Sequence, residues 1–176
     1  KDVMERENYR VASYNLAVTD TWPTDMSVLV VAGPQRALSA EETARLASFV
    51  EQGGSLLVLV EPGMADPLNG FLRSYGLELP DDLVIDPAKS FFGDAGSPVV
   101  DTFTFHQITK DMNGLTTIFA TARPLELVEP APTDWMVQLL AQTSVDSWAE
   151  KAYRQQQVKR DEDEAKGPLG LMAAIE

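Results

Sequence analysis

The chain has 176 residues, of which 44% are hydrophobic and 23% charged, enough for one α/β domain with its own core. Its formal net charge of −13 would repel a phosphate backbone and anionic lipid headgroups alike, which argues against nucleic acid as a partner. With no cysteine and a single histidine, thiol nucleophiles, disulfides, cysteine-ligated zinc and multi-histidine metal sites are all excluded.

In chain order, Tyr9 to Leu16 alternates as a strand would, with Val11, Ser13 and Asn15 opposite Ala12, Tyr14 and Leu16. Thr19 to Met26, with Trp22 and Pro23, has breaker composition and predicts a loop or a single turn. Ser27 to Pro62 then forms a βαβ unit around which the rest is arranged. Val28 to Ala32 and Leu56 to Val60 are apolar runs of the kind found in parallel strands covered on both faces. Between them Ser39 and Glu42 have the spacing of a capping box, and Leu46, Phe49 and Val50 share one helical face. Gly53 and Gly54 supply the turn into the second strand.

Asp66 and Pro67 predict the start of a short amphipathic helix through Leu68, Phe71, Leu72 and Tyr75, stopped by Gly76. Leu83 to Ile85 is a brief strand. Asp86 to Asp111 is irregular, with a hairpin expected through Val99 to Phe105. Strand character returns at Thr116 to Ala120 and at Met136 to Ala141, with a proline-broken stretch between them. Residues 150–166 are almost wholly polar and predict a mobile loop or a solvated helix. Leu169 to Ile175 is a last strand. This rhythm predicts a layered α/β sheet in one domain spanning 1–176. No run approaches the ~20 apolar residues that cross a bilayer. The opening on Lys1 and the ending on a strand suggest an excised piece, with any membrane anchor outside it.

Active sites of α/β sheets lie at the carboxyl ends of the strands. Here those ends carry Gly33 and Pro34 in one loop and Glu61, Pro62 and Gly63 in another, with no serine or cysteine on a strand-to-helix turn and no adjacent histidine. His106 reads as a turn residue bonded to local backbone. The acidic run Asp161 to Glu164 lacks the oxygen spacing and central glycine of a calcium loop and reads as a solvated face. Trp22, Trp135 and Trp148 read as lids on the core, with a partner-facing patch as the second reading. The candidate ligand or partner rim is therefore Gly33, Pro34, Glu61, Pro62, His106 and Trp148, with no catalytic, cofactor-binding or metal residue assigned.

The segments AGPQRALSAEE and FVEQGGSLLVLVEP resemble the signature of GldG-like auxiliary components of ABC transporters, a family first associated with gliding motility. The resemblance continues through LRSYGLELPDDLVIDP, HQIT, LLAQTSVDSWAE and KGPLGLMAAIE, with Glu61 where the family commonly has aspartate. It implies a three-layer, mostly parallel flavodoxin-like or class I glutamine amidotransferase-like α/β fold without catalytic residues, related to domains of intraflagellar transport adaptors. It also implies an extracytoplasmic (periplasmic) domain, tethered to the inner membrane and working beside an ABC permease and ATPase. On this reading the chain is an accessory domain without enzymatic activity or cofactor. A small-molecule module for a sugar or peptide is the alternative. A carboxylate-dependent hydrolase comes third, since it needs two carboxylates ~5–10 Å apart in a cleft.

Overall fold

A computed structural model describes residues 2–18, 21–68, 70–112, 114–155 and 158–176. The chain opens on a short exposed helix, α1 (Asp2–Arg6), that buries nothing. The alternating Tyr9 to Leu16 segment is not a strand: it has no sheet partner and runs irregularly into a turn. Its apolar residues serve the core from loop conformation instead. Tyr14 stacks on Trp22 at 5.0 Å between ring centroids, and Trp22 in turn packs on Phe49 at 4.7 Å. Of the predicted loop that follows, Thr19 and Asp20 lie outside the described residues.

The βαβ unit forms as β1 (Val28–Ala32), α2 (Ala40–Glu51) and β2 (Ser55–Leu59). The strands are parallel and in register from Val28 opposite Ser55 to Ala32 opposite Leu59. Ser39 Oγ accepts the Glu42 amide at 3.2 Å while Glu42 Oε2 accepts the Ser39 amide at 2.8 Å, the reciprocal cap that the spacing predicts. The two glycines after α2 play different parts. Gly53 takes the left-handed turn at φ +86°, whereas Gly54 is small because a Cβ there would overlap the Phe49 ring. Leu29, Leu46 and Phe49 fill one face of the sheet. On the opposite face Val28, Val30, Leu57 and Leu59 are exposed, although parallel strands ordinarily have both faces covered.

The next helix is shorter than its sequence suggests. α3 (Phe71–Ser74) begins only after Gly70, whose φ of +73° interrupts any helix started at Pro67. Pro67 instead offers its carbonyl to the Leu38 amide at 3.1 Å, joining the two loops beyond β1 and β2. Leu68, Phe71 and Tyr75 complete the first core cluster, with Trp135 laid edge-on to Tyr75 at 4.8 Å.

The remaining strands are β3 (Leu77–Glu78), β4 (Leu83–Ile85), β5 (Ser90–Phe91), β6 (Asp94–Val100), β7 (Thr117–Ile118), β8 (Glu126–Leu127), β9 (Val137–Gln142), β10 (Trp148–Glu150) and β11 (Gly170–Ile175). They pair antiparallel as β3 with β8, β4 with β10, β5–β6–β7, and β9 with β11. The hairpin expected through Val99 to Phe105 is displaced toward the N-terminus, turning at Phe92 and Gly93 between β5 and β6.

The expectation of a three-layer, mostly parallel, flavodoxin-like or amidotransferase-like sheet is therefore overturned. Among the described residues only β1 and β2 pair in parallel; the rest is a set of small antiparallel sheets, and the helices have 5, 12 and 4 residues. Parallel neighbours need a crossover of a dozen or more residues, usually helical. After α2 the chain supplies tight turns and proline-interrupted loops in that role, so its strands pair antiparallel.

Candidate functional site

The loops leaving β1 and β2 lie side by side. The Gly33 amide donates to Leu59 O at 2.8 Å, carrying the parallel ladder one residue beyond the strands. Past that point the loops part around a shallow cleft of about 270 Å³, lined by Gly33, Pro34, Gln35, Val60, Glu61, Pro62, Gly63, Met64 and Pro67. Gly33 at φ +51° and Gly63 at φ +123° make the two bends. Gln35 Nε2 folds back on Gly33 O at 3.0 Å.

One rim of this cleft is fastened from behind by a residue the sequence reading passed over. Arg123 is 3% exposed and its guanidinium donates to Pro80 O at 2.9 Å, Met64 O at 3.0 Å, Glu61 O at 3.4 Å and Leu79 O. Burial pushes its pKa below the usual guanidinium value, while Asp81, Tyr153, Asp82 and Asp66 act in the opposite sense. Asp81 holds the same loop by a second point, accepting the Gly63 amide at 2.6 Å and the Tyr153 hydroxyl at 3.1 Å. Burial, and then the bond to Asp81, raise the Tyr153 pKa. The segment Glu61 to Met64 is thus a braced rim.

Gly33, Pro34, Glu61 and Pro62 come together here as the strand-end rule anticipates. His106 and Trp148 do not line this cleft. His106 Nδ1 accepts the Ile108 amide at 3.1 Å, the local backbone bond expected of a turn histidine, which leaves the ring proton on Nε2 facing Glu176 Oε1 at 3.2 Å. Trp148 lies in β10 opposite Ile85, and its indole Nε1 donates to Glu150 Oε2 at 3.1 Å.

Three carboxylates to which the sequence reading gave no buried role, Asp86, Glu150 and Glu164, are buried, and each of their oxygens accepts a hydrogen bond. Asp86, fully buried, accepts the Ala88 amide at 3.2 Å, the Lys89 amide at 3.0 Å, and both the amide and hydroxyl of Ser144. Glu150, 1% exposed, takes Trp148 Nε1 and the Ala152 amide. Glu164, 5% exposed, takes the Lys151 amide at 2.9 Å and the Asp161 amide at 2.7 Å. It is thus the buried exception in an acidic run read as solvated. Of these only Asp86 had a sequence signal, an aspartate-proline pair at a strand end, which marks a turn whose side chain caps following amides. Among the described residues no group of three or more potential metal ligands converges.

The cleft is lined by glycines and prolines, by Gln35, Val60 and Met64, and by one exposed carboxylate, Glu61. Such a surface can present backbone donors and acceptors and an apolar proline edge. Among the described residues its lining has no hydroxyl or imidazole, so Glu61 is its one proton-transferring side chain.

The family pattern described as ABC-type uncharacterized transport system matches residues 4–176. The comparison with curated proteins gives no match. Among solved structures, the mmIFT52 N-terminal domain is similar in fold, with a TM-score of 0.64 at 18% identity, covering 82% of this chain and 64% of that one. The chain thus spans a little under two thirds of that structure's length, and at this identity the likeness concerns fold alone.

Proposed function

Because the chain belongs to the ABC-type uncharacterized transport system family, we propose that it is a non-enzymatic accessory domain of such a system. It sits on the outer side of the membrane and acts through contact with the permease that works with the ATPase. The observation that carries this reading is the strand-end cleft. Its described lining has one carboxylate, Glu61, and no serine, threonine, cysteine or histidine beside it, and the lone imidazole is engaged elsewhere with Ile108 and Glu176. Arg123 braces its rim through main-chain carbonyls, and elsewhere in the fold the buried Asp86, Glu150 and Glu164 likewise accept main-chain amides and so act as scaffolding. Within the family, the motif order favours the GldG-like branch.

The test is to tag the natural full-length protein in its own cells, solubilise the membranes gently and identify what co-purifies. Stoichiometric recovery of a permease and its ATPase is expected, together with protease access to the domain from the outer face of spheroplasts. Recovery of neither subunit, or protection from external protease, would overturn the reading.

The cleft itself favours a second reading, capture of a small polar ligand such as a sugar or short peptide between the Gly33 and Glu61 loops. A ligand at ~100 times its dissociation constant adds ~2.7 kcal/mol to folding. A thermal-shift screen of sugars and peptides with no hit would remove this second reading and leave the first.

A further inference from the structure

The β5–β6 hairpin turns through Phe92 and Gly93, the two residues between the paired Phe91 and Asp94. Both have positive φ, +50° and +81°, as a two-residue turn of the type I′ kind requires. Asparagine, aspartate or glycine is the residue such a turn selects at its first position, because a Cβ crowds the following carbonyl in the left-handed region. Phenylalanine is poorly matched to that backbone, and it gains no burial in exchange. Phe92 is 93% exposed, and its ring meets Phe91 edge-on at 4.5 Å, itself 42% exposed.

The arm that carries these rings is well supported. Its base is held by Val99 N to Lys89 O at 2.9 Å, by Asp86 N to Ala95 O at 2.8 Å, and by the Asp86 carboxylate on the Ala88 and Lys89 amides. β6 is the middle strand of its sheet, flanked by β5 and β7. A residue unsuited both to its backbone and to water, at the end of a hydrogen-bonded arm, points to a role outside the fold.

We propose that the Phe91–Phe92 tip is a docking knob that inserts into an apolar socket on a protein partner, the permease subunit of the transport system; this rests on the accessory reading above. Charge selects a protein over the other occupants. Asp94 flanks the tip, Lys89 is neutralised by Asp101 at 2.9 Å, and the whole chain carries −13. An anionic bilayer surface or a second copy of the chain would both be repelled, whereas a socket with a basic rim would be attracted.

The test compares wild type with F92N in the natural full-length protein, in cells making the whole transport system. Asn-Gly suits this turn, so F92N is expected to raise the melting temperature of the purified domain by ~2–4 °C while reducing co-purification of the permease at least tenfold. A photo-reactive benzophenone side chain at position 92 is expected to cross-link to the permease subunit. Equal recovery of the permease by wild type and F92N would overturn the knob and leave the accessory function standing. So would a lower melting temperature accompanying lost recovery, or a cross-link that is absent or goes to lipid, to a second copy or to another protein. If wild type itself recovers no transport subunit, the accessory function falls and the knob with it.

Discussion

Asp86 and Ser144 lie 58 positions apart and meet twice, the Ser144 amide reaching Oδ2 at 2.8 Å and its hydroxyl reaching Oδ1 at 2.7 Å. The same carboxylate caps Ala88 and Lys89, so one side chain ties the base of the β5–β6 hairpin to the loop between β9 and β10. Removing it strands several donors at a buried position, and each stranded buried group costs ~1–3 kcal/mol. D86A is expected to lose ~3–5 kcal/mol in urea denaturation, and D86N a smaller amount, since one oxygen still accepts. A loss below ~1 kcal/mol for D86A would show that water replaces the carboxylate and that the tie is dispensable.

Arg123 is expected to tolerate no lysine. Its fork reaches carbonyls on both Glu61–Met64 and Leu79–Pro80, and an ammonium cannot span them together. R123K should cost ~2–4 kcal/mol and open the Glu61 to Met64 loop to limited proteolysis. Unchanged cleavage in that loop would mean that Asp81, through Gly63, braces the rim alone.

Gly167 is expected to resist even alanine. A Cβ there would overlap the Ser144 carbonyl and Ser147 Oγ, and backbone cannot swing aside as a long side chain can. Overpacking of this kind costs ~1–3 kcal/mol. G167A should therefore melt several degrees below wild type by differential scanning calorimetry, whereas G114A, with nothing near its Cβ and φ at +83°, should show only its backbone effect.

Glu42 sets an acid limit on the βαβ unit. The bond from Arg36 at 2.6 Å, then the Ser39 amide, hold its pKa down to about 2 from a usual carboxylate value of 4.5. Since the folded pKa is depressed, the stabilisation is fully present above pH 4.5 and disappears as pH falls toward 2. The melting temperature of E42Q should lie below that of wild type at pH 6 and converge with it near pH 2, measured in dilute solution. A gap independent of pH would show that shape rather than charge makes the cap.

The βαβ unit was legible because its signals are local. A capping box needs four consecutive residues, and the β-branched runs declare strands without reference to anything distant. Alternation, by contrast, misled at Tyr9 to Leu16, where Tyr14 and Leu16 meet the core from a segment with no sheet partner. The wider architecture was illegible for a related reason. β4 pairs with β10 and β3 with β8, choices made by distant segments that no window of sequence contains. Gly33, Pro34, Glu61 and Pro62 could be grouped in advance because strand ends are sequence features, and they line one cleft. Arg123 was hidden because its partners are carbonyl oxygens, which every residue possesses and no composition reveals. Glu150 and Glu164 were hidden likewise, their donors being mostly main-chain amides, and Glu164 stands in addition beside acidic neighbours that face solvent.

The bare outer side of β1 and β2 has a consequence for handling the molecule. At neutral pH chains carrying −13 repel one another, which opposes contact between the exposed Val28, Val30, Leu57 and Leu59 of one molecule and those of the next. Near the isoelectric point of about 4.4 that repulsion vanishes while the oily strip remains. Colloidal stability of the isolated chain should then collapse over a narrow acid interval, ahead of any unfolding, and return on dilution into neutral buffer.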